Sequence, residues 1–425
     1  MQNLLAGVIL ATLPTGGIPT SPKPQPNSYL FVWAGDSARK SSDFLAVIDA
    51  DPASPSYGRV LATVATGASG TPHHTEATVA ADGHLLANDF TLGRTWLFDV
   101  SQPRHPRVLA GFGDVGGFSH PHTFARLANG NVLATFQYRA DETRMPSDSA
   151  ATGMRGMPNM KMESPTAPHV TGGLVEMNER GRVIMERSAV DPVVRDKLLY
   201  PYSVLPMPAM DRAVSTTTDM NLADSASTAE WVQFWRLSDL KLLRSVALSP
   251  GPRGDENKYT GEPRLLEDGH SVYIHTFNCG LYLVQDIASP QPVAKFVYGF
   301  KGVDCGVPIQ TSHYWLQTVP QSHALVALDI RDPAHPREVS RVMFGNDEFP
   351  HWVAIDRAGR RVVLNSAGHG SRLFVINFDP RNGALAIDQK FRDADSTHPG
   401  VSMSGRSWPG GFNGTAVPHG SVFSN

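Results

Sequence analysis

Short apolar runs of period two, broken by Asp-Gly, Asn-Gly or proline-containing turns, recur along this chain. In residues 71–89 the pair His73-His74 leads into an alternating run that reaches the turn Asp82-Gly83 and returns through Leu85 and Leu86. The same grammar recurs at 120–136 around Asn129-Gly130, at 261–275 around Asp268-Gly269 and at 350–366 around Ala358-Gly359. Such dipeptides between apolar runs predict β-hairpins, whose two-residue turns need positive φ at both central positions. Eight residues before the turn glycines stand Thr75, His122, Gly261 and His351; ten before stand His73, His120, Tyr259 and Phe349. Histidine therefore collects at the start of the first strand of a repeating hairpin.

A second pattern lies between these hairpins: an apolar strand, an acidic or amide residue, a proline turn, then another apolar strand. Its clearest copy is Leu325 to Asp329 followed by Asp332-Pro333-Ala334-His335-Pro336. Others begin at Phe44, Thr95 and Leu281, with weaker copies at Gly173, Trp231 and Leu373, which makes seven. Spacings of roughly 40–60 residues, four short strands per unit and no amphipathic helix predict an all-β chain, a seven-bladed β-propeller. The stretch after Tyr29 has outer strands but no histidine-type inner strand. The segment around His419 looks like a first strand without partners. One blade is then closed by N- and C-terminal strands, which removes an exposed sheet edge.

The expected organisation is a leader and linker over 1–28 and a single propeller domain over 29–425, with a Met-rich insertion at 137–172. Residues 4–13 are apolar, as in the core of a signal peptide, but too few to span a bilayer. Export implies a periplasmic or secreted protein; without it the chain would be cytoplasmic. A net charge of −3 and a pI near 6.6 leave no basic footprint for nucleic acid or anionic lipid, so the expected partner is a small-molecule substrate, with no membrane insertion of the mature chain. Two cysteines, Cys279 and Cys305, are too few for a cysteine-rich metal site; they either pair in an exported protein or remain buried thiols.

First strands of propeller blades line the central channel, so residues at their starts converge from distant parts of the sequence. The candidate metal ligands are His73, His74, His122, His351 and His419, with His120 as a possible replacement for His122. Imidazoles without thiolates suit copper, with iron or zinc as alternatives. Adjacent strand residues face opposite ways, so His73 and His74 share one ion only if the chain bends after Pro72. Glu76 and Glu262 are read as equivalent inner carboxylates that orient a ligand imidazole or move protons in catalysis. His84, His105, His270 and His335 are expected in solvated turns, and His275, His313 and His323 in packing or rim positions. Met145, Met154, Met157, Met160 and Met162 offer soft thioethers beside the histidine-rich mouth.

A seven-bladed propeller with the pair His73-His74 near its start, His122 one blade later and His419 near its end resembles the selenium-binding protein family, which includes bacterial methanethiol oxidases. That resemblance implies copper on the corresponding histidines and oxidation of a small thiol. The chain departs from the family pattern in two places. Thr75-Glu76-Ala77 follows the histidine pair in place of a cysteine-containing segment, and Pro418-His419-Gly420 stands where the family has His-Glu-Met. The histidine spacing is also similar to the propeller of nitrous oxide reductase, but no copper-binding cupredoxin motif follows.

The sequence thus predicts a copper-dependent oxidoreductase acting on a small sulfur-containing or other reduced substrate. The competing readings are a non-catalytic copper-binding or chaperone protein, a protein-docking propeller, a four-histidine non-haem iron oxygenase and a lactonase on the same scaffold.

Overall fold

The computed structural model describes residues 28–140, 170–194, 197–220, 229–366 and 372–424, with the backbone of 151–153 and 161–163. The leader and most of the Met-rich segment lie outside the described residues; within that segment Ala151–Gly153 pairs with Lys161–Glu163. The insertion is bounded by the strands Val132–Arg139 and Thr171–Met177, so three residues at its expected start and two at its expected end belong to strands.

Seven antiparallel sheets form the blades of a propeller, each of four strands, with the short strand Val401–Ser402 added to the third strand of blade six. Their inner strands are Pro72–Thr75 in blade one, Phe118–Arg126 in two, Pro201–Met207 in three, Thr260–Leu265 in four, Pro308–Thr311 in five, Pro350–Ile355 in six and Ala416–Phe423 in seven. Blade seven takes its other three strands, Tyr29–Asp36, Phe44–Asp49 and Val60–Ala65, from the opposite end of the chain. Leu30 lies opposite Phe423 and Trp33 opposite Gly420, so the ring is sealed by ladder hydrogen bonds.

The hydrophobic pattern follows the radius of each blade. Third strands such as Ala324–Asp329 are buried at every residue because neighbouring blades cover both faces; this is why they read as unbroken apolar runs. Outer strands such as Arg337–Met343 are largely exposed. Large apolar side chains fill the wedges between blades: Phe31, Trp33 and Leu45 of blade seven pack with Leu85, Trp96 and Phe98 of blade one. The indole N–H of Trp33 donates across that junction to Asn88 O at 2.8 Å.

The hairpin turns differ from expectation. Gly83, Gly130, Gly269 and Gly359 all have positive φ, but Asp82, Asn129, Asp268 and Ala358 do not. Gly83 N–H donates to Ala80 O and Ala80 N–H to His84 O, so the loop has three residues and ends on a left-handed glycine. The preceding Asp or Asn instead accepts the N–H two residues on, as Asp82 does from His84. The sequence reading also missed a cap over 388–415, in which Phe391, Val401, Met403 and Trp408 pack on Phe44 of blade seven.

Candidate metal centre

Six of the seven inner strands carry the same irregularity near their channel end. The pairing register slips between Pro72 and Thr75, Pro121 and Phe124, Pro201 and Val204, Thr260 and Pro263, and Pro350 and Trp352, and opposite Trp33 and Ala34 in blade seven. A bulge of this kind re-aims side chains. The residues it holds are His73 and His74 in blade one, His122 and Thr123 in two, Tyr202 and Ser203 in three, Gly261 and Glu262 in four, His351 in six and His419 in seven. Repetition of the bulge is the physical meaning of the repeating histidine position.

In blades one to four a polar residue on the second strand fixes the bulge. His74 N–H donates to Asn88 Oδ1 at 2.7 Å, Thr123 N–H to Thr135 Oγ1 at 3.0 Å, Ser203 N–H to Thr216 Oγ1 at 3.2 Å and Glu262 N–H to His275 Nδ1 at 3.0 Å. Two of these residues also stitch neighbouring inner strands together: Asn88 Nδ2 donates to Pro121 O at 2.7 Å and Thr135 Oγ1 to Tyr202 O at 2.8 Å. Sequence reasoning missed all four. Their signal is a polar residue interrupting a strand that is otherwise apolar and buried.

The bulge turns both members of the histidine pair to one side, and their rings stack at 4.1 Å. His122 stands 4.8 and 4.5 Å from His73 and His74, and His419 stands 4.2 and 5.5 Å from them, measured between ring centres. His351 Nε2 is 3.1 Å from His419 Nε2. Four adjoining blades thus deliver five imidazoles to one place, all buried. One ligand nitrogen each from His73, His74 and His419 lie within 4.8 Å of one another. His73 Nδ1, His74 Nε2, His122 Nε2 and His351 Nδ1 have no protein partner, although buried nitrogens are normally satisfied.

Burial holds these imidazoles neutral, the state in which they ligate metals. Burial, then the crowding of neighbouring histidines, takes His73, His74 and His419 well below the usual range. Burial alone brings His351 to about 4, and it is the main cause that takes His122 to about 3. Aromatic rings wall the cluster: Tyr202 lies 3.8 Å from His122 and Trp352 4.9 Å from His74. His120 takes a left-handed backbone at φ 58° and packs on Phe90 and Tyr138, so His122 is the blade-two member of the cluster.

The two carboxylates are not equivalent. In the bulge register Glu262 matches His74, and Glu76 matches Arg264. Glu262 Oε1 is 3.8 Å from His74 Nδ1, and its other oxygen accepts Ser203 Oγ–H at 2.5 Å and Arg264 Nη1–H at 2.9 Å. Glu76 is occupied elsewhere: Arg126 donates to both of its oxygens and Leu86 N–H to Oε2 at 2.8 Å. Burial raises its pKa while Arg126 opposes the rise. Blade one carries extra residues between bulge and turn, so counting back from Gly83 placed Thr75 where His73 belongs. His84 also differs from a solvated turn residue, being half-buried with Nδ1 3.0 Å from Glu179. The two cysteines are joined, Cys279 to Cys305.

No family model matches the chain. It is 34% identical over 108 residues to a methanethiol oxidase from Hyphomicrobium sp, a match covering 23% of this chain and 24% of that protein. Among solved structures it superposes on a hypothetical selenium-binding protein from Sulfolobus tokodaii with TM-score 0.68 and 15% identity, over 95% of this chain and 94% of that one. This chain resembles the selenium-binding protein and methanethiol oxidase family. The periplasmic gluconolactonase of Pseudomonas aeruginosa shares the propeller fold at TM-score 0.58 and 14% identity, over 94% and 99% of the two chains. The departure from the family at Gly420 has a local reason: a Cβ there would stand 2.6 Å from Thr75 N, so no side chain fits beside the histidine pair.

Proposed function

We propose that this protein is a copper-dependent oxidase of a small thiol or similar reduced sulfur compound. The carrying observation is the convergence of His73, His74 and His419 nitrogens within 4.8 Å, with His122 beside them. Orphaned neutral imidazoles without thiolates fit copper by the affinity order of divalent metals, ahead of zinc or iron. The partial identity to a methanethiol oxidase supports the sulfur substrate.

Bound copper would supply one-electron and oxygen chemistry. The chain itself does the positioning. The bulges aim the four imidazoles, and His351 braces His419 through the 3.1 Å contact between their ring nitrogens. His74 would hold the metal through its unpartnered Nε2, and Glu262 Oε1, 3.8 Å from Nδ1, would then favour the tautomer with the proton on Nδ1. Tyr202 and Trp352 limit water around the cluster. The buried disulfide supports an exported, periplasmic or secreted location.

Elemental analysis of purified protein, with oxygen uptake on methanethiol, tests the reading. About one copper per chain and turnover that disappears on chelation and returns with copper are expected. Turnover unchanged after full metal removal would sink it.

A further inference from the structure

The linker from blade four to blade five does more than connect them. Cys305 N–H donates to Phe277 O at 2.9 Å, and the disulfide to Cys279 ties the same residue to the turn after the second strand of blade four. The next two residues reach across to blade six. Val307 N–H donates to His351 O at 2.8 Å, and Thr318 Oγ1 donates to the same carbonyl at 3.0 Å. Between them Gly306 lies so close that an added Cβ would stand 2.2 Å from His351 O and 2.7 Å from Thr318 Oγ1. Gln317 Nε2 holds the Gly306 carbonyl at 2.5 Å. The backbone of one cluster histidine is therefore cradled by a segment whose near end is a covalent crosslink.

We propose that the Cys279–Cys305 disulfide and Gly306 are positioning residues for His351, and through its contact with His419 for the metal centre. The chain of contacts is short: crosslink, Gly306 and Val307, the His351 carbonyl at its bulge, then the two ring nitrogens 3.1 Å apart. Loss of the crosslink frees the 300–306 segment, and the His351 ring loses its fixed height against His419. Supports of this kind are worth about ten- to a hundredfold in metal affinity.

The placement is tested without metal, and the consequence for copper, which rests on the proposed function, is tested separately. Histidine Cε1–H NMR spectra of metal-free protein are compared for the wild type, Cys279→Ser with Cys305→Ser, and Gly306→Ala. The His351 and His419 signals are expected to move in both variants while that of His84, on the blade-one rim, stays. Unmoved His351 signals in a folded variant overturn the placement, whatever the metal results. Copper titration then asks whether either variant weakens binding by tenfold or more, and whether the loss vanishes in a His351→Ala background. Equal losses with and without His351 mean general loosening and overturn the route through it. If the wild type takes no copper, the oxidase reading fails while the NMR result still decides the placement.

Discussion

Two buried carboxylates meet where blade seven joins blade one, and they give a pH dependence that a single substitution should remove. Asp43 Oδ2 accepts Gly70 N–H at 2.7 Å, and Asp89 Oδ1 accepts Thr71 N–H at 2.9 Å and Leu92 N–H at 3.1 Å. Their other oxygens, Asp43 Oδ1 and Asp89 Oδ2, find no donor except a proton shared between the two acids. Burial, then the bond to Asp89, pushes Asp43 from 3.8 up to about 8. The folded chain thus keeps a proton that the unfolded chain releases above pH 3.8, so stability is full below that pH, falls as pH rises and levels off above about 8. At about 1.4 kcal/mol per pH unit the ceiling of the loss is on the order of 5 kcal/mol. Asn at position 43 has nearly the same shape, offers a permanent N–H to Asp89 and does not titrate. Thermal or urea unfolding of Asp43→Asn and wild type from pH 4 to 9 should show equal stabilities near pH 4 and a growing advantage for the variant up to pH 8. A gap that stays constant with pH would refute the shared proton.

Other consequences are open to direct measurement. His122→Ala should lower copper stoichiometry, whereas His84→Ala, altering a rim residue held by Glu179, should leave it unchanged; elemental analysis reads both. Arg126→Met strands the buried Glu76 carboxylate and should cost about 3 kcal/mol by denaturant unfolding, without altering copper content. Asn88→Ala removes the acceptor for His74 N–H and the donor to Pro121 O, so a loss of about 2–4 kcal/mol is expected together with weaker metal binding. Glu262→Gln should keep copper but lower kcat by about tenfold or more, since Glu262 Oε1 faces His74 Nδ1; an unchanged kcat would separate Glu262 from the chemistry.

The seven-blade architecture was legible because burial on both faces leaves an apolar third strand in most blades, and because Pro and Gly mark the turns. The convergence of the histidines was legible because the ring brings equivalent positions together, which is why His419, remote in sequence, could be matched to His122 and His351. The register of blade one was not. Extra residues before its turn slide Glu76 into the place of a bulge residue in any count from Gly83, and only strand pairing shows that His74, not Glu76, is the counterpart of Glu262. Nor could residue types show that Asn88, Thr135 and Thr216 hold the bulges, since that role depends on which second-strand residue lies opposite. The left-handed backbone of His120 is likewise a tertiary effect, packing its ring on Phe90 and Tyr138 and leaving His122 to face the pair.

Sealing of blade seven has a consequence for biosynthesis. Tyr29–Asp36 cannot find its inner neighbour until Ala416–Phe423 has been made, so three strands wait through nearly the whole of translation with an unpaired rim. His419 rides on that late strand. Joining of the two chain ends therefore also completes the imidazole set: His73, His74 and His122 are made early, on blades one and two, and gain His419 only when the ring closes.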